Sequence, residues 1–191
     1  MSDLETRLAD IVRANPDLMH VLTTVRGLGL TDWRVFSGAV YQAVWNDVTG
    51  RPPIYGIKDY DLGYFDPDTS WDAEDVVIKR VAAAFDPPFR DIVEVRNQAR
   101  VHLWFGERFG EPYEALPDTD TALSRFVAPA FSVGVRLEDD DTISLAAPFG
   151  LRDMFDMVLR PNPNRPLARG WDKAVASAQA RWPELTVQGV Q

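Results

Sequence analysis

Residues 57–66, IKDYDLGYFD, constrain the fold more than any other stretch of this sequence. Apolar and aromatic residues recur there at alternate positions, which predicts a β-strand with one face in the core. Asp59 and Asp61 share the other face, about 6.5–7 Å apart along such a strand. Because a buried carboxylate costs several kcal/mol unless a partner compensates its charge, this face must be an exposed strand edge or a binding site for a cation.

The composition places the chain among globular proteins. Its 191 residues suffice for one domain with a hydrophobic core, and 46% of them are apolar. There is no cysteine, which excludes disulfides and thiolate nucleophiles and favours a reducing compartment. The apolar runs are short and the N-terminus is acidic and amphipathic. We therefore expect a cytoplasmic protein with no membrane partner.

The charge of the chain bears on its partners. A formal charge of −9 and a pI near 4.7 argue against a general nucleic-acid binder and make a long nucleic acid an unfavourable substrate. A local basic pocket could still hold the phosphates of a nucleotide. The 20 basic residues are 17 arginines and 3 lysines. This excess reflects compositional bias or a use of arginine as a bidentate phosphate ligand.

The order of the predicted elements indicates a single α/β (α+β) domain, residues 1–191, with a mixed β-sheet flanked by helices. A helical segment comes first (1–30), with a capping box at Ser2-x-x-Glu5 and a break at Asn15-Pro16. The sheet core follows (31–147), and helices close the chain (148–183). Within these parts we predict strands at 57–66 and 91–105, a helix at 39–48, a hairpin at 131–147, and a linker at 160–166, RPNPNRP.

Two further features make the aspartate strand a candidate site. If the predicted strand 91–105 pairs beside strand 57–66, Glu94 would complete a cluster of three carboxylates with Asp59 and Asp61. Mg²⁺ is often bound by one or two carboxylates together with substrate phosphates. Gly38 lies at a predicted strand-to-helix junction, where it forms either a simple tight turn or a place where a phosphate approaches the helix N-terminus.

Several strings carry a resemblance to known proteins. The order FSGAV (36–40), KDYD (58–61) and a carboxylate on a following strand resembles the polymerase-beta-type nucleotidyltransferase superfamily. More specifically, the chain is similar, over about residues 17–183, to a small bacterial family of nucleotidyltransferase-like proteins. The strings that carry this similarity are GRPPIYGIKDYD (50–61), NQARVHLWF (97–105), APFGL (147–151) and RPNP (160–163).

The resemblance implies a metal-dependent transfer of NMP from an NTP donor to an unknown hydroxyl acceptor, with release of pyrophosphate. It implies Mg²⁺ or Mn²⁺ as cofactor, with Asp59 and Asp61 as metal ligands. Ser37 and Gly38 match the signature that cradles the triphosphate. Glu94 is the candidate third carboxylate, which would bind metal and orient or deprotonate the attacking hydroxyl. Arg96 and Arg100 are the candidate phosphate ligands.

Alternatives remain at this point. Ala39 stands where the superfamily has a second Gly or Ser, and the segment from Gly38 to Asp59 is longer than usual. Both features fit a non-catalytic domain that binds a nucleotide or a protein. A less favoured alternative is a glycosyltransferase that uses D-x-D to hold a nucleotide sugar. The acceptor of a transferase could be a small molecule, a protein side chain or an RNA end, and Trp104 is either a packing residue or a base-stacking one.

Overall fold

The computed structural model describes residues 2–165 and 170–189. No helix within these ranges is both long and apolar enough to span a bilayer. The strands are β1 (Arg34–Phe36), β2 (Tyr60–Tyr64), β3 (Val93–Asn97), β4 (Gly134–Leu137), β5 (Ile143–Ala146), β6 (Val158–Leu159) and β7 (Thr186–Val187). The α-helices are α1 (Asp3–Ala14), α2 (Pro16–Arg26), α3 (Gly38–Thr49), α4 (Trp71–Ala83), α5 (Phe89–Ile92), α6 (Val101–Phe109), α7 (Thr119–Leu123), α8 (Arg152–Phe155) and α9 (Trp171–Gln179).

The main sheet is mixed, as predicted, and has the strand order β3-β2-β1-β4-β5. Strands β2 and β3 run parallel, whereas the other neighbouring pairs are antiparallel. A parallel pair needs a crossover connection, and helices α4 and α5 provide it. The β4–β5 pair confirms the predicted hairpin. This topology puts β2, the aspartate strand, between β1 and β3 near the middle of the sheet.

Helices α1, α2 and α4 begin at side chains that cap them. The Ser2 hydroxyl accepts the Glu5 N–H while the Glu5 carboxylate accepts the Ser2 N–H, so the predicted capping box is present. Asn15 ends α1 and caps α2 by accepting the Leu18 N–H. Ser70 caps α4 in the same way through Ala73 N–H.

Helix α3 is fixed in the core by its aromatic residues. Trp45 is fully buried and its indole N–H donates to the carbonyl of Met154 at 3.1 Å. Its ring contacts those of Tyr41 and Trp182, with centroids 4.6 and 5.2 Å away. Aromatic rings that bury this much area dominate core packing. These contacts anchor α3 in the core, and its first residue, Gly38, lies two residues after the end of β1.

Strand β2 is shorter than predicted but faces as predicted. It begins at Tyr60, so Asp59 lies immediately before it. Tyr60, Leu62 and Tyr64 point into the core and are each 2% exposed, while Asp61 on the opposite face is exposed. The alternation in the sequence thus gave the correct face for Asp61.

The predicted strand over 91–105, for which the sequence suggested a bulge or bend near Asn97-Gln98, is correct only for Val93–Asn97, because residues 91–92 belong to α5 and residues 98–105 are helical. Strand β3 ends at Asn97 because the side-chain oxygen of this residue accepts the Ala99 N–H, and a 3₁₀ turn (Gln98–Arg100) leads into α6. In α6, Val101 is buried whereas Leu103 is 55% exposed.

The C-terminal part contains helices, as predicted, but the helix expected over about 150–159 covers only Arg152–Phe155 and a small sheet was not predicted. Helix α8 ends at Phe155, and Met157 has a φ of +54°, which a helix cannot accommodate. Val158 and Leu159 then pair in parallel with Thr186 and Val187. Residues 166–169, which include the end of the predicted RPNPNRP linker, lie outside the described ranges.

Candidate active site

The register of the sheet brings two acidic side chains together. In the parallel β2–β3 pair, Asp61 is directly opposite Glu94, and in the antiparallel β1–β2 pair Asp61 is opposite Phe36. Residues opposite one another on neighbouring strands project to the same face. Asp61 and Glu94 therefore lie side by side on one face of the sheet, and Tyr60 and Leu62 point to the opposite face, into the core.

Asp59 joins this group from the loop before β2, next to the start of α3. A Cβ atom placed on Gly38 would lie 3.9 Å from Asp59 Oδ1 and 3.4 Å from Gln42 Nε2. The absence of a side chain at Gly38 thus leaves the helix end open toward the carboxylate. The first N–H groups of a helix have no intrahelical acceptor, and they favour an anion at this position.

Ser37 makes the junction between β1 and α3 in a strained conformation. It has a φ of +47° and a ψ of −102°, which is rare for a residue with a side chain. Its N–H donates to Val133 O at 2.8 Å, and its carbonyl accepts the N–H groups of Val40 and Tyr41 at 2.9 Å. In the part of the chain that is described, the Ser37 hydroxyl forms no capping bond to the helix. It is thus available at the same helix end as Gly38.

The three carboxylates interact electrostatically. Burial in the cleft raises the pKa of Asp61 to about 6, and the charges of Asp59 and Glu94 add to this rise while Arg96 opposes it. Water still reaches the Asp61 side chain from the open side of the cleft. The proximity of like charges destabilises their ionised forms, and a cation between them would relieve the repulsion.

Within residues 2–165 and 170–189, no group of three or more His, Cys, Asp or Glu side chains is arranged to hold a metal ion. The three carboxylates lie on one face without converging on one point. Asp59 and Asp61 nevertheless offer the hard oxygen ligands that Mg²⁺ and Mn²⁺ prefer, and substrate phosphates commonly complete such a site. The donor set therefore fits a divalent ion that binds together with a nucleotide.

Of the two predicted arginines, only Arg96 lies with the carboxylates. Its guanidinium is 3.9 Å from Glu94 Oε2 and its side chain is 45% exposed. Arg100 forms an ion pair with Glu74, which is 2% exposed, and donates to Thr69 O at 2.8 Å. Arg100 is thus engaged in holding α4 to the end of β3. The structure brings together the other predicted residues, Ser37, Gly38, Asp59, Asp61, Glu94 and Arg96.

Sequence reasoning missed Arg181 and Gln42. Arg181 Nη1 donates to Gln42 Oε1 at 3.1 Å and to Gly56 O at 2.8 Å, which places this cation beside the N-terminal turn of α3. Burial raises the pKa of Tyr41, Gln42 and Arg181 oppose the rise, and the two site aspartates reinforce it. Arg181 is one of 17 arginines and is 139 residues away from Gln42 in the sequence. Nothing in the sequence therefore marks it as a neighbour of α3.

A cleft lined by aromatic rings adjoins the carboxylates on the Asp61–Glu94 side. Its volume is about 350 Å³. Phe36 forms part of its floor by lying across Gly63, where a Cβ atom would come within 2.3 Å of the ring. We call it the aromatic cleft and define it by Phe36, Asp61, Leu62, Glu94, Arg96, Gln98, Val101, Trp104, Phe109, Tyr113, Ala122, Arg125 and Phe126.

Comparison with known proteins agrees with this geometry. A family model described as "Nucleotidyltransferase" matches residues 23–187. None of the curated proteins is similar enough to count as a match. An NMR structure described as revealing a CCA-adding enzyme head domain is 25% identical in sequence, with a TM-score of 0.77 over 97% of this chain and 96% of that one. A tRNA-processing enzyme in an apo form is 14% identical, with a TM-score of 0.49 over 88% of this chain and 44% of that one.

Proposed function

Because this chain belongs to the nucleotidyltransferase family, we propose that it transfers NMP from an NTP to a hydroxyl acceptor in a reaction that requires Mg²⁺ or Mn²⁺ and releases pyrophosphate. The observation that carries this proposal is the position of Asp59 beside Gly38 and of Asp61 beside Glu94. The first pair joins a metal ligand to a phosphate-binding helix end. The second joins a metal ligand to a carboxylate that can act on the acceptor.

Each residue then has a distinct role. The triphosphate lies at the start of α3, where Ser37 and Gly38 present backbone and hydroxyl donors and Arg181 supplies positive charge. Asp59 and Asp61 would hold the divalent ion, which would supply neutralisation of phosphate charge and activation of the attacking oxygen. Glu94 orients the acceptor hydroxyl and accepts its proton. Arg96, next to Glu94, offsets the negative charge that builds up there.

Two observations bear on the identity of the acceptor. The structural neighbour described as a CCA-adding enzyme head domain suggests an RNA end. The formal charge of −9 disfavours a long RNA. Family membership favours nucleotidyl transfer over the transfer of a sugar. A non-catalytic nucleotide-binding domain is the second candidate, because the carboxylates do not form a three-ligand cluster among the described residues.

Thermal melting tests the proposal directly. The wild type and the Asp59→Asn/Asp61→Asn double variant are melted with each of the four NTPs, with and without Mg²⁺ or Mn²⁺. Ligand that binds the folded state raises its stability by about RT ln(1 + [L]/Kd). We expect a metal-dependent rise in Tm for at least one NTP in the wild type and none in the variant.

A second readout separates the two candidate functions. Wild type with labelled NTP, metal and a mixture of small hydroxyl compounds is assayed for pyrophosphate release. Release that needs both aspartates supports the transferase, whereas a metal-dependent rise in Tm without any release supports the binding domain. A wild type whose Tm responds to no NTP contradicts both.

A further inference from the structure

The aromatic cleft offers an answer to the question of the acceptor. We propose that it binds the acceptor, and that the acceptor is a small molecule whose reacting hydroxyl is next to a flat apolar ring. This inference rests on the proposed nucleotidyl transfer, since it assigns the second substrate of that reaction.

The position of the cleft follows from the line of the reaction. The helix end at Gly38, with Asp59 beside it, lies at one end of the row of carboxylates, and Glu94 with the cleft lies at the other. In-line displacement at phosphorus puts the attacking oxygen opposite the leaving oxygen. If the departing pyrophosphate is held at the helix end, the attacking hydroxyl comes from the Glu94 side. The cleft is the cavity on that side.

The reaction then balances without a further reactant. The acceptor oxygen forms a bond to the α-phosphorus of the NTP as the bond from that phosphorus to the oxygen bridging to the β-phosphorus breaks. That bridging oxygen keeps the electron pair and leaves as part of pyrophosphate. The hydroxyl proton passes to the Glu94 carboxylate and from there to water. The products are a phosphodiester of the acceptor and pyrophosphate.

The walls favour a flat ring. Phe36 and Phe126 meet edge to face with centroids 6.0 Å apart, and Tyr113 and Phe109 each pack against Phe105, at 4.4 and 4.7 Å. These contacts hold the rings in place, so that a ligand ring meets fixed surfaces and needs little reordering. Aromatic pairs with centroids within about 7 Å gain stability beyond that from area burial. The walls therefore select for an aromatic or similarly flat group.

Arg125 brings positive charge to the wall of the cleft. Its Nη2 donates to Glu114 at 2.9 Å, and the guanidinium lies over the Tyr113 ring at 5.9 Å. These two contacts hold the Arg125 side chain against the ring that it covers. The guanidinium favours a ligand ring rich in π-electrons over a saturated one.

Size and charge point to a small molecule. A volume of about 350 Å³ is near the lower end of the range of roughly 300–1,000 Å³ for small-molecule sites. An acidic chain attracts a polyanion poorly. The end of an RNA, whose terminal base could also stack on these rings, is therefore the competing occupant that the experiment must distinguish.

Ligand-observed NMR with 2-phenylethanol as the probe tests the assignment, and 2-cyclohexylethanol serves as a puckered control of the same connectivity. Phe109→Ala removes a wall residue that is 43% exposed, so the fold should tolerate it. Leu103→Ala is the matched control, because Leu103 is an exposed residue of α6 that does not line the cleft. We expect 2-phenylethanol to bind several-fold more tightly than 2-cyclohexylethanol. We expect Phe109→Ala to weaken its binding roughly fivefold and Leu103→Ala to leave it unchanged.

Competition decides between the occupants. If an NTP with Mg²⁺ binds together with 2-phenylethanol, the cleft is separate from the donor site, as proposed, whereas displacement of the probe by NTP overturns the inference. The inference is also overturned if a short oligoribonucleotide displaces 2-phenylethanol at a lower concentration than ring-bearing alcohols do. Equal binding of the two alcohols, or equal effects of the two alanine variants on binding, would likewise overturn it. Because the NTP-dependent rise in Tm is measured separately, failure of this inference remains distinguishable from failure of the proposed function.

Discussion

Asp61 and Glu94 are direct neighbours across the parallel β2–β3 pair, and both project to the open face of the sheet. This relationship places two like charges side by side on neighbouring strands. Their repulsion, together with the burial of Asp61 and the charge of Asp59, raises the pKa of Asp61 to about 6. The pair is thus a source of instability that a bound cation would remove.

The first prediction concerns the pH dependence of stability in the metal-free protein. Asp61 binds its proton more tightly in the folded state, with a pKa of about 6 against an ordinary 3.8. The contribution of this proton to the free energy of unfolding is therefore full below about pH 4, falls as the pH rises to about 6, and is absent above that. Asp61→Asn removes the unfavourable charge, so it should abolish this fall and raise the free energy of unfolding at pH 7.5. The expected rise is only about 1 kcal/mol, because water screens the exposed carboxylate.

Urea denaturation of both proteins in chelator, at several pH values between 4 and 8, measures this difference. Asp139→Asn is a suitable control, because Asp139 lies in the exposed β4–β5 turn away from the site. A loss of stability in Asp61→Asn at pH 7.5 would show that the carboxylate has a structural role and would contradict its assignment to the active site.

The second prediction concerns the opening at Gly38. An added Cβ would meet Gln42 Nε2 at 3.4 Å, an ordinary contact, so Gly38→Ala should change the free energy of unfolding by less than about 1 kcal/mol. The methyl group would nevertheless stand between the helix end and a phosphate. We expect the NTP-dependent rise in Tm to be lost or to require at least tenfold more NTP.

Gly106→Ala is the matched control for Gly38→Ala. Gly106 lies within α6, where alanine has the higher helix propensity, and its added Cβ would be 3.5 Å from Glu111 O. This variant should melt at or above the wild-type temperature and respond normally to NTP. An undiminished response in Gly38→Ala would show that the phosphates do not approach this helix end.

The third prediction separates Arg100 from nucleotide binding. Glu74 is buried, and its carboxylate pairs with the Arg100 guanidinium and accepts a hydrogen bond from the Asn97 N–H. Arg100→Met leaves the Glu74 charge without its partner, which should cost about 3–5 kcal/mol. Arg100→Met/Glu74→Gln removes the charge as well and should recover most of that loss. If Arg100 has only this structural role, the double variant will keep the NTP-dependent rise in Tm.

Urea denaturation gives the free energies, and Lys79→Ala is the control. Lys79 pairs with Asp75 at 2.5 Å, but its side chain is 75% exposed, so its loss should leave the free energy of unfolding nearly unchanged. A double variant that is stable yet unresponsive to NTP would restore Arg100 to the list of phosphate ligands.

The sequence sufficed for most of the fold because its local signals agree. The capping residues and the Asn15-Pro16 break fixed the helix starts, and the alternation around Tyr60 fixed which face Asp61 occupies. It failed where a short polar interaction overrides alternation, as at Asn97, whose side chain ends β3 and starts a helical turn. The sequence also left open whether Gly38 forms a simple tight turn or a place where a phosphate approaches the helix N-terminus. The folded structure was needed to see that Asp59 lies next to Gly38.

Several residues of the site come from distant parts of the chain, so the sequence alone could not show that they lie together. Phe36 and Tyr113 line one cleft although a long stretch of chain separates them, and no spacing rule connects them. Trp104 was open between packing and stacking, and it lines the cleft from α6. Arg181 reaches α3 only because Trp182 is buried against Trp45, with ring centroids 5.2 Å apart. Tertiary packing, which pattern and propensity do not encode, assembles these residues.

The fourth prediction tests Arg181. Its guanidinium bonds to Gln42 Oε1 and Gly56 O and is the cation beside the helix end that would hold the triphosphate. Arg181→Gln should raise the KM for NTP about tenfold, the loss expected for one charge-assisted hydrogen bond. Because Arg181 is not at the acceptor end of the site, the KM for the acceptor should change less than twofold. Arg181→Lys should recover part of the loss, since it keeps the charge without the fork of donors.

Arg51→Gln is the matched control for Arg181→Gln. Arg51 pairs with Glu184 at 2.9 Å and stacks on Tyr55, so it fastens the same loop to the same C-terminal segment without facing the helix end. Steady-state kinetics, or the NTP dependence of Tm if no acceptor is found, gives the comparison. Equal losses in both variants would mean that Arg181 acts by holding the loop in place, whereas a loss confined to Arg181→Gln supports direct contact with the nucleotide.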